Sequence, residues 1–176
     1  QVECVRRMLP TRSVTVEVHG PLMDRVEAEY AISADGKTAY MEMAAASGLT
    51  LVPQEQRNPM TATTYGVGEM IADAVKRGCQ TIVMGIGGSA TCDGGRGMIE
   101  ALGDCRCLDM DCRVIVACDV NNPLFGKNGA AYVFAPQKGA TPEQVELLDG
   151  RLRAFAKGTE QAGRATPGLA LSPGAG

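Results

Sequence analysis

The chain has 176 residues and a formal net charge of −3, with 22 glycines, nine prolines and no tryptophan. This length suffices for one hydrophobic core, which must be mainly aliphatic because aromatic residues are sparse. The scattered basic residues argue against a nucleic-acid surface, and neither a membrane-spanning run nor a signal peptide is visible. We therefore expect a cytoplasmic protein that binds neither nucleic acid nor membrane.

The first third of the chain alternates between apolar and polar residues, as half-buried strands do. Three strands are predicted here, over residues 13–19, 26–32 and 38–43, with short helices at 2–8 and 42–48. The Asp35-Gly36 pair favours a hairpin between the second and third strands, so this part of the sheet should be antiparallel. His19 falls on the polar side of the first strand, where we expect a surface histidine.

A longer helix is predicted over residues 65–77, because apolar side chains recur on one face. Thr63 or Thr64 is the expected N-cap. The first turn contains Gly66 and Gly68, although glycine is a poor helix former. We expect the backbone there to lie close to another group, such as a ligand.

Residues 81–95, T-I-V-M-G-I-G-G-S-A-T-C-D-G-G, are the most informative stretch. Residues 81–84 predict a buried strand that leads into a glycine-rich loop. Such a loop lets backbone N–H groups approach a ligand, while small hydroxyls and the Asp93 carboxylate add polar contacts. We interpret it as a phosphate or polyol site, with a tight structural turn as the alternative. The other loop residues assigned to the ligand are Gly85, Gly87, Gly88, Ser89 and Thr91.

A helix over residues 94–102 and a second apolar strand over 113–118 are predicted next. The strand ends at Asp119, beside Asn121 and Asn122. In α/β proteins, polar site residues often follow the end of a buried strand, so Asp119 is a candidate. The alternative is that Asp119 caps the following turn.

The last third combines a short strand, a cation and a helix. A strand is predicted over residues 130–135, and Lys138 is the best single cation to meet a negative group, although such a lysine is more often solvated. The sequence T-P-E-Q at 141–144 predicts a capping box and a helix to about residue 157. Residues 158–176 should form a mobile tail or the loose end of a truncated chain.

The glycine loop was compared with known phosphate loops. It is not a Walker A loop, because no Gly-Lys-Ser/Thr follows. It fits G-x-G-x-x-A, a form of the dinucleotide fingerprint, and Asp104 lies at the distance where an acidic residue is needed. However, the C-R-C stretch there does not predict the required strand, and Asp93 would repel a pyrophosphate unless a cation lay between them. Metal-assisted phosphoryl transfer or polyol binding suits the loop better. Asp93 and Asp119 are then the carboxylates for Mg²⁺ or for a hydroxyl proton.

Seven cysteines are present, of which Cys105, Cys107 and Cys112 form a cluster. Their C-x-C-x4-C spacing lacks the two-plus-two pattern of zinc sites, and His19 is far away in sequence. We interpret the cysteines as reduced thiols of a cytoplasmic protein.

Six motifs in order resemble one family. They are E-M-A-A-A-S-G-L at 42–49, R-N-P at 57–59, T-T-Y-G-V-G-E at 63–69, G-I-G-G-S-A-T-C-D-G-G at 85–95, A-C-D-V-N-N-P-L at 117–124 and F-A-P-Q-K-G-A at 134–140. Together they closely resemble the bacterial glycerate kinase family, class II, of the glyoxylate and glucarate pathways. Because they cover most of the chain, the resemblance is more specific than any single glycine pattern.

The resemblance implies an ATP- and Mg²⁺-dependent kinase that converts D-glycerate into 2-phosphoglycerate or 3-phosphoglycerate. A homodimer is compatible with it. It also implies two α/β domains, one Rossmann-like and one inserted into it. Residues 1–157 would be mainly the inserted domain, and 158–176 would lead to a C-terminal portion outside this chain. Two rival functions stay open: a small-acid-binding module without catalysis, and a nicotinamide-dinucleotide-binding domain.

The chain also departs from the family pattern. A P-D-S-F-K-like motif before this region and a T-G-E-G-like segment after it are absent, and the connection at 103–112 is much shorter than usual. The implied site places glycerate or a phosphate among Thr63, Thr64, Gly66, the glycine loop, Asn121 and Lys138. Asp93 and Asp119 would be its metal ligands or its base.

Overall fold

In the computed structural model, which describes residues 2–103 and 112–175, five strands form one sheet in the order β1-β2-β3-β4-β5. The strands are β1 Thr11–His19, β2 Arg25–Ser33, β3 Thr38–Glu42, β4 Thr81–Gly85 and β5 Arg113–Ala117. β1, β2 and β3 pair antiparallel, whereas β3, β4 and β5 pair parallel. The predicted α/β fold with a mixed sheet and flanking helices is confirmed, including its antiparallel first third.

Six α-helices flank the sheet in the part of the chain that the structure describes. They are α1 Val2–Met8, α2 Ala44–Ser47, α3 Tyr65–Lys76, α4 Arg96–Ala101, α5 Ala130–Phe134 and α6 Pro142–Gln161. Short 3-10 turns lie at Leu49–Leu51, Gln54–Gln56, Pro136–Lys138 and Leu169–Leu171. Among these helices, none combines the length and hydropathy needed to cross a bilayer.

The main core lies between the sheet and α3. On β1 the alternation seen in the sequence buries Val14 and Val18, and α3 contributes Met70 and Ile71 to the same cluster. The hydroxyl of Tyr30 is also in this core and donates a 2.6 Å hydrogen bond to Asp73. Burial raises the pKa of Tyr30, so the phenol stays protonated as a donor.

A second, smaller core joins α5 to α6 and corrects the strand predicted over 130–135. The sequence A-A-Y-V-F-A is a short apolar run, which fits a strand or a helix equally well. In the structure it is helical, because Ala131 and Ala135, four residues apart, pack together against Leu148 and Leu152 of α6. The four-residue spacing of two small side chains is the signal that favours a helix.

The start of α6 is as predicted, but its end is not. Thr141 Oγ1 accepts a hydrogen bond from the Gln144 backbone N–H, and Gln144 Oε1 accepts one from the Thr141 backbone N–H, which completes the capping box. The helix continues to Gln161, so the first residues assigned to the tail are helical. Within the predicted tail, the carbonyl of Ala170 accepts a hydrogen bond from the backbone N–H of Leu124.

The parallel half of the sheet determines where polar loops meet. Glu42 pairs with Gly85 and Gly85 with Ala117, so β3, β4 and β5 end side by side. The loops that follow β4 and β5 therefore leave the same edge of the sheet. β5 was expected to be buried, but all five of its residues are exposed, Val116 to 51%.

Candidate functional site

The loops after β4 and β5 enclose a cavity of about 650 Å³. Apolar side chains of Met43, Met84 and Met98 form part of its wall, and sequence reasoning did not identify them as such. Most of the predicted site residues line the same space, namely Thr64, Gly87, Gly88, Ser89, Thr91, Asp93, Asp119 and Lys138. The sheet edge thus brings together residues that are up to 74 positions apart in sequence (64 to 138).

Four predicted site residues do not line this cavity: Thr63, Gly66, Gly85 and Asn121. Thr63 Oγ1 accepts a hydrogen bond from the Tyr65 backbone N–H. A Cβ atom on Gly66 would overlap the carbonyl oxygen of His19. The glycine therefore serves close packing of α3 against β1. The expected close approach to its backbone is present, and the approaching group is the His19 carbonyl.

Asp93 connects the starts of two helices. Its Oδ2 accepts hydrogen bonds from the Thr64 hydroxyl at 2.7 Å, the Thr64 backbone N–H at 3.0 Å and the Gly97 backbone N–H at 3.1 Å. Its Oδ1 accepts one from the Gly95 backbone N–H at 3.1 Å. A proton or a metal ion at Oδ2 would compete with these donors, so the contacts favour a structural role for Asp93.

Thr64 takes part in this junction instead of capping its own helix through its side chain. It occupies the N-cap position of α3 but makes no side-chain cap hydrogen bond there. Its hydroxyl donates to Asp93 and accepts from the Met98 backbone N–H at 2.9 Å. The N-cap prediction was therefore right in position and wrong in mechanism.

Asp119 differs from Asp93 in its exposure and in its hydrogen bonding. It is exposed, it follows β5 directly, and it has no hydrogen bond or ion pair to any residue within 2–103 or 112–175. Among the described residues, no hydrogen bond supports the alternative that Asp119 caps the next turn. Asp119 is thus a carboxylate in the cavity wall with both oxygens available.

Lys138 is buried beside the glycine loop, although lysines of this kind are usually solvated. The residue is only 9% exposed, and its Nζ donates to Ser89 Oγ at 2.8 Å and to the Thr91 carbonyl at 2.6 Å. Burial lowers the pKa of the Lys138 ammonium, whereas the nearby Cys92 and Asp93 act in the opposite direction. Lys138 therefore contacts the glycine loop directly.

The glycine loop keeps part of its backbone open. The carbonyl of Gly88 accepts from the Leu49 backbone N–H, and the Ala90 N–H donates to the Ser47 carbonyl, both at 2.8 Å. Among the residues that the structure describes, no acceptor is recorded for the N–H groups of Gly87 and Gly88. A Cβ atom on Gly87 would meet nothing within 4 Å. A ligand can therefore approach the backbone at this point.

The described ranges contain no group of three or more histidine, cysteine, aspartate or glutamate residues that could hold a metal ion. Asp93 and Asp119 share the cavity but do not form such a group. Cys105, Cys107 and Asp104, which the sequence analysis considered, lie outside the described residues.

His19 is less exposed than the sequence suggested. Its Nδ1 lies 2.9 Å from Glu69 Oε1, and its backbone N–H donates to Glu69 Oε2 at 2.7 Å. The His19 side chain is 24% exposed, and its ring packs edge-on against Tyr65. It does not line the cavity, so its contacts connect β1 to α3 and add nothing to the site.

Comparison with known proteins identifies related chains. The model of the glycerate kinase family matches residues 1–111 and 104–176. A glycerate kinase from Haemophilus influenzae is 47% identical over 84% of this chain and 46% of its own length. A glycerate 2-kinase from Escherichia coli K12 is 46% identical over 80% of this chain and 44% of its own length.

A solved structure gives the same result for the fold. The crystal structure of a protein assigned as glycerate kinase 2 from Salmonella typhimurium LT2 superposes with a TM-score of 0.93 at 41% identity. The superposition covers 100% of this chain and 54% of the other. The chain therefore spans about half the length of the relatives that it matches.

Proposed function

The chain belongs to the glycerate kinase family, and on that premise we propose that the protein containing it transfers the γ-phosphoryl group of ATP to a hydroxyl of D-glycerate. One observation carries the proposal. A single cavity contains a carboxylate without a partner among the described residues, Asp119, a buried ammonium, Lys138, and the open backbone of the glycine loop. These groups are the ones that phosphoryl transfer to an alcohol needs.

The reaction moves one proton and one phosphoryl group. The glycerate hydroxyl oxygen attacks the γ-phosphorus, the bond from that phosphorus to the β–γ bridging oxygen breaks, and ADP leaves. Asp119 takes the hydroxyl proton, because it is the cavity carboxylate with free oxygens. The loop N–H groups and Lys138 stabilise anionic oxygens of the reactants.

Asp93 is assigned to structure in this scheme and Asp119 to chemistry. An acceptor of four hydrogen bonds holds its position but has little capacity left for a migrating proton. Positioning is itself a large part of phosphoryl transfer, since reactants must be aligned. The Asp93 junction keeps the glycine loop in place for that purpose.

The residues of the cavity could hold Mg²⁺ only together with the phosphates of ATP. The described residues offer one free carboxylate in the cavity and no cluster of three ligands. In kinases Mg²⁺ is commonly held by one or two carboxylates together with substrate phosphates and water. When bound, the ion would neutralise charge on the phosphates.

The domain assignment belongs to the same proposal. Residues 1–157 would be mainly the inserted domain of a two-domain kinase, with residues 158–176 leading onward from it. The coverage of about half of each relative supports this view. Sequence beyond this chain would then complete the nucleotide side of the cleft.

The test is ADP release by the intact gene product with ATP, Mg²⁺ and D-glycerate. We expect ADP formation that depends on D-glycerate and saturates with it. Calorimetric titration with D-glycerate in the absence of ATP is the companion measurement. Heat of binding without ADP release would support the rival function, a small-acid-binding module, and would overturn the kinase assignment.

A further inference from the structure

The Lys138 ammonium is the starting point, because a positive charge is rarely buried without a partner. Its two recorded hydrogen bonds go to a hydroxyl and a carbonyl, both uncharged. Within the described ranges, no carboxylate lies in ion-pair distance of Nζ. A protonated lysine has three N–H donors, so one is still available for a ligand in the cavity.

The charged and titratable groups around Lys138 do not neutralise it. Asp93 is close enough to affect the pKa of Lys138, but both of its oxygens accept hydrogen bonds from the α3 and α4 junction. Cys92 is the other titratable neighbour, and burial raises the pKa of its thiol, which favours the uncharged form. Within 2–103 and 112–175, the ammonium therefore lines the cavity without a carboxylate counter-ion.

A second basic residue, Arg57, lies next to the residue that follows Lys138. Gly139 follows Lys138 directly, and a Cβ atom on it would lie 3.0 Å from Cβ of Arg57. The Arg57 Nε is buried and has no hydrogen-bond partner among the described residues. One basic residue, Lys138, thus ends the 3-10 turn Pro136–Lys138, and another, Arg57, lies beside it, in a chain whose net charge is −3.

The opposite sign of charge occurs elsewhere in the same cavity. Asp119 lines it too, is exposed, and carries a free carboxylate. Asp119 would repel an anionic group, whereas Lys138 would attract it. A small hydroxy acid is therefore oriented by these two residues, with its charged end at Lys138 and a hydroxyl toward Asp119.

We propose that Lys138 binds the carboxylate of the acceptor acid and so makes the site select a hydroxy acid over a neutral polyol. This inference rests on the proposed function and adds the residue that determines acceptor specificity. The triphosphate of ATP is the other anion that could meet an ammonium. We favour the carboxylate because Lys138 is deeply buried, which suits a small ligand with a single charge better than a polyphosphate with its cation.

The experiment compares D-glycerate with its uncharged amide, D-glyceramide, in the intact gene product. The variants are Lys138→Met and, as the matched control, Lys127→Met, since Lys127 is exposed and does not line the cavity. For Lys138→Met we expect kcat/KM for D-glycerate to fall roughly 10- to 150-fold, the range of a charge-assisted hydrogen bond. We expect the value for the amide and KM for ATP to change less than about threefold, which is within ordinary mutational scatter.

Other results would overturn the proposal. An equal loss for acid and amide would assign Lys138 a structural role, and a rise confined to KM for ATP would assign it to the phosphates. If the unmodified protein does not phosphorylate D-glycerate, the proposed function fails, and calorimetric titration with acid and amide then tests Lys138 separately. Equal affinity of the unmodified protein for both ligands would contradict the proposal.

The unmodified protein provides a measurement that does not depend on a variant folding. Affinity for D-glycerate should fall as the pH rises toward 10.5, the ordinary pKa of lysine, because the ammonium loses its proton. Affinity for D-glyceramide should change much less over the same range. Parallel pH profiles for the two ligands would contradict a charge contact at Lys138.

Discussion

The hydroxyl of Thr64 lies 2.7 Å from the carboxylate of Asp93, and this hydrogen bond ties the N-cap residue of α3 to the glycine loop. The same oxygen of Asp93 also accepts the Gly97 N–H at the start of α4. The loop that approaches the ligand is thus fixed by two helices at once. Its geometry is set by the fold and does not depend on a bound ligand.

Replacing Asp93 should therefore destabilise the protein. We expect Asp93→Ala to lower the free energy of unfolding by about 3 kcal/mol or more, because several hydrogen bonds to a charged acceptor are lost. Thr64→Val should cost less, about 2 kcal/mol, since the hydroxyl's bonds to Asp93 and from the Met98 N–H are lost but the backbone N–H bonds to Asp93 persist. Urea unfolding measures both. Unchanged stability of Asp93→Ala together with lost activity would restore Asp93 as a chemical group.

Replacing Asp119 should have the opposite effect. We expect Asp119→Asn to leave the free energy of unfolding within about 0.5 kcal/mol, because the side chain has no partner in the described structure. Its kcat for D-glycerate phosphorylation should fall about 10²- to 10⁴-fold with loss of the base. Glu146→Gln is the control, an exposed carboxylate on α6 outside the cavity. Activity of Asp119→Asn within twofold of the unmodified protein would remove Asp119 from catalysis.

Gly66 and Gly87 provide a matched pair of alanine substitutions. Gly66→Ala should destabilise the protein by about 2 kcal/mol or more, because the new methyl group overlaps the carbonyl of His19. Gly87→Ala should leave stability unchanged or slightly higher, since open space surrounds its Cβ position.

Enzyme kinetics provide a second test of the two glycine substitutions. Gly87→Ala should raise KM, because Gly87 lines the cavity and the methyl group hinders approach to the loop backbone. Thermal unfolding and steady-state kinetics on both proteins provide the comparison. A stable Gly66→Ala variant, or a Gly87→Ala variant with unchanged KM, would show that these glycines have been assigned the wrong roles.

Burial of Lys138 predicts a pH dependence of stability. Its pKa is lower in the folded protein than the ordinary value of 10.5, so the unfolded chain holds the proton more tightly. Stability therefore rises with pH between the lowered folded value and 10.5. In Lys138→Met this contribution is absent.

The difference between the two proteins isolates the lysine, because cysteines also titrate at alkaline pH. We expect the unfolding free energy of the unmodified protein, minus that of Lys138→Met, to increase from pH 7 to pH 10.5. Urea unfolding at a series of pH values measures it. A difference that stays flat or declines over that range would mean that Lys138 is not desolvated.

Much of the fold could be predicted from local patterns. The alternation of valines from Val14 to Val18 predicted β1, and the Thr141 capping box predicted the start of α6. α5 was missed because an apolar run of six residues has no period long enough to distinguish strand from helix. The exposure of β5 was missed because whether other elements cover a strand is a tertiary property that its own residues do not encode.

The roles of Asp119 and Lys138 stay predictions, but both were identified as candidates because a carboxylate after a strand and a lysine in a turn are recognisable from sequence. The structural contacts of Asp93 and the packing of Gly66 were not, since they depend on N–H and carbonyl groups contributed by distant elements. The homodimer and the cytoplasmic location stay predictions.

The central claim is that ATP phosphorylates D-glycerate in the cavity between the glycine loop and Asp119. Phosphorus NMR of the intact gene product with ATP, Mg²⁺ and D-glycerate tests it most directly. The account predicts a new phosphomonoester signal of phosphoglycerate that grows in step with ADP. ADP accompanied by inorganic phosphate alone, or an unchanged ATP spectrum under conditions where D-glycerate binds, would contradict it.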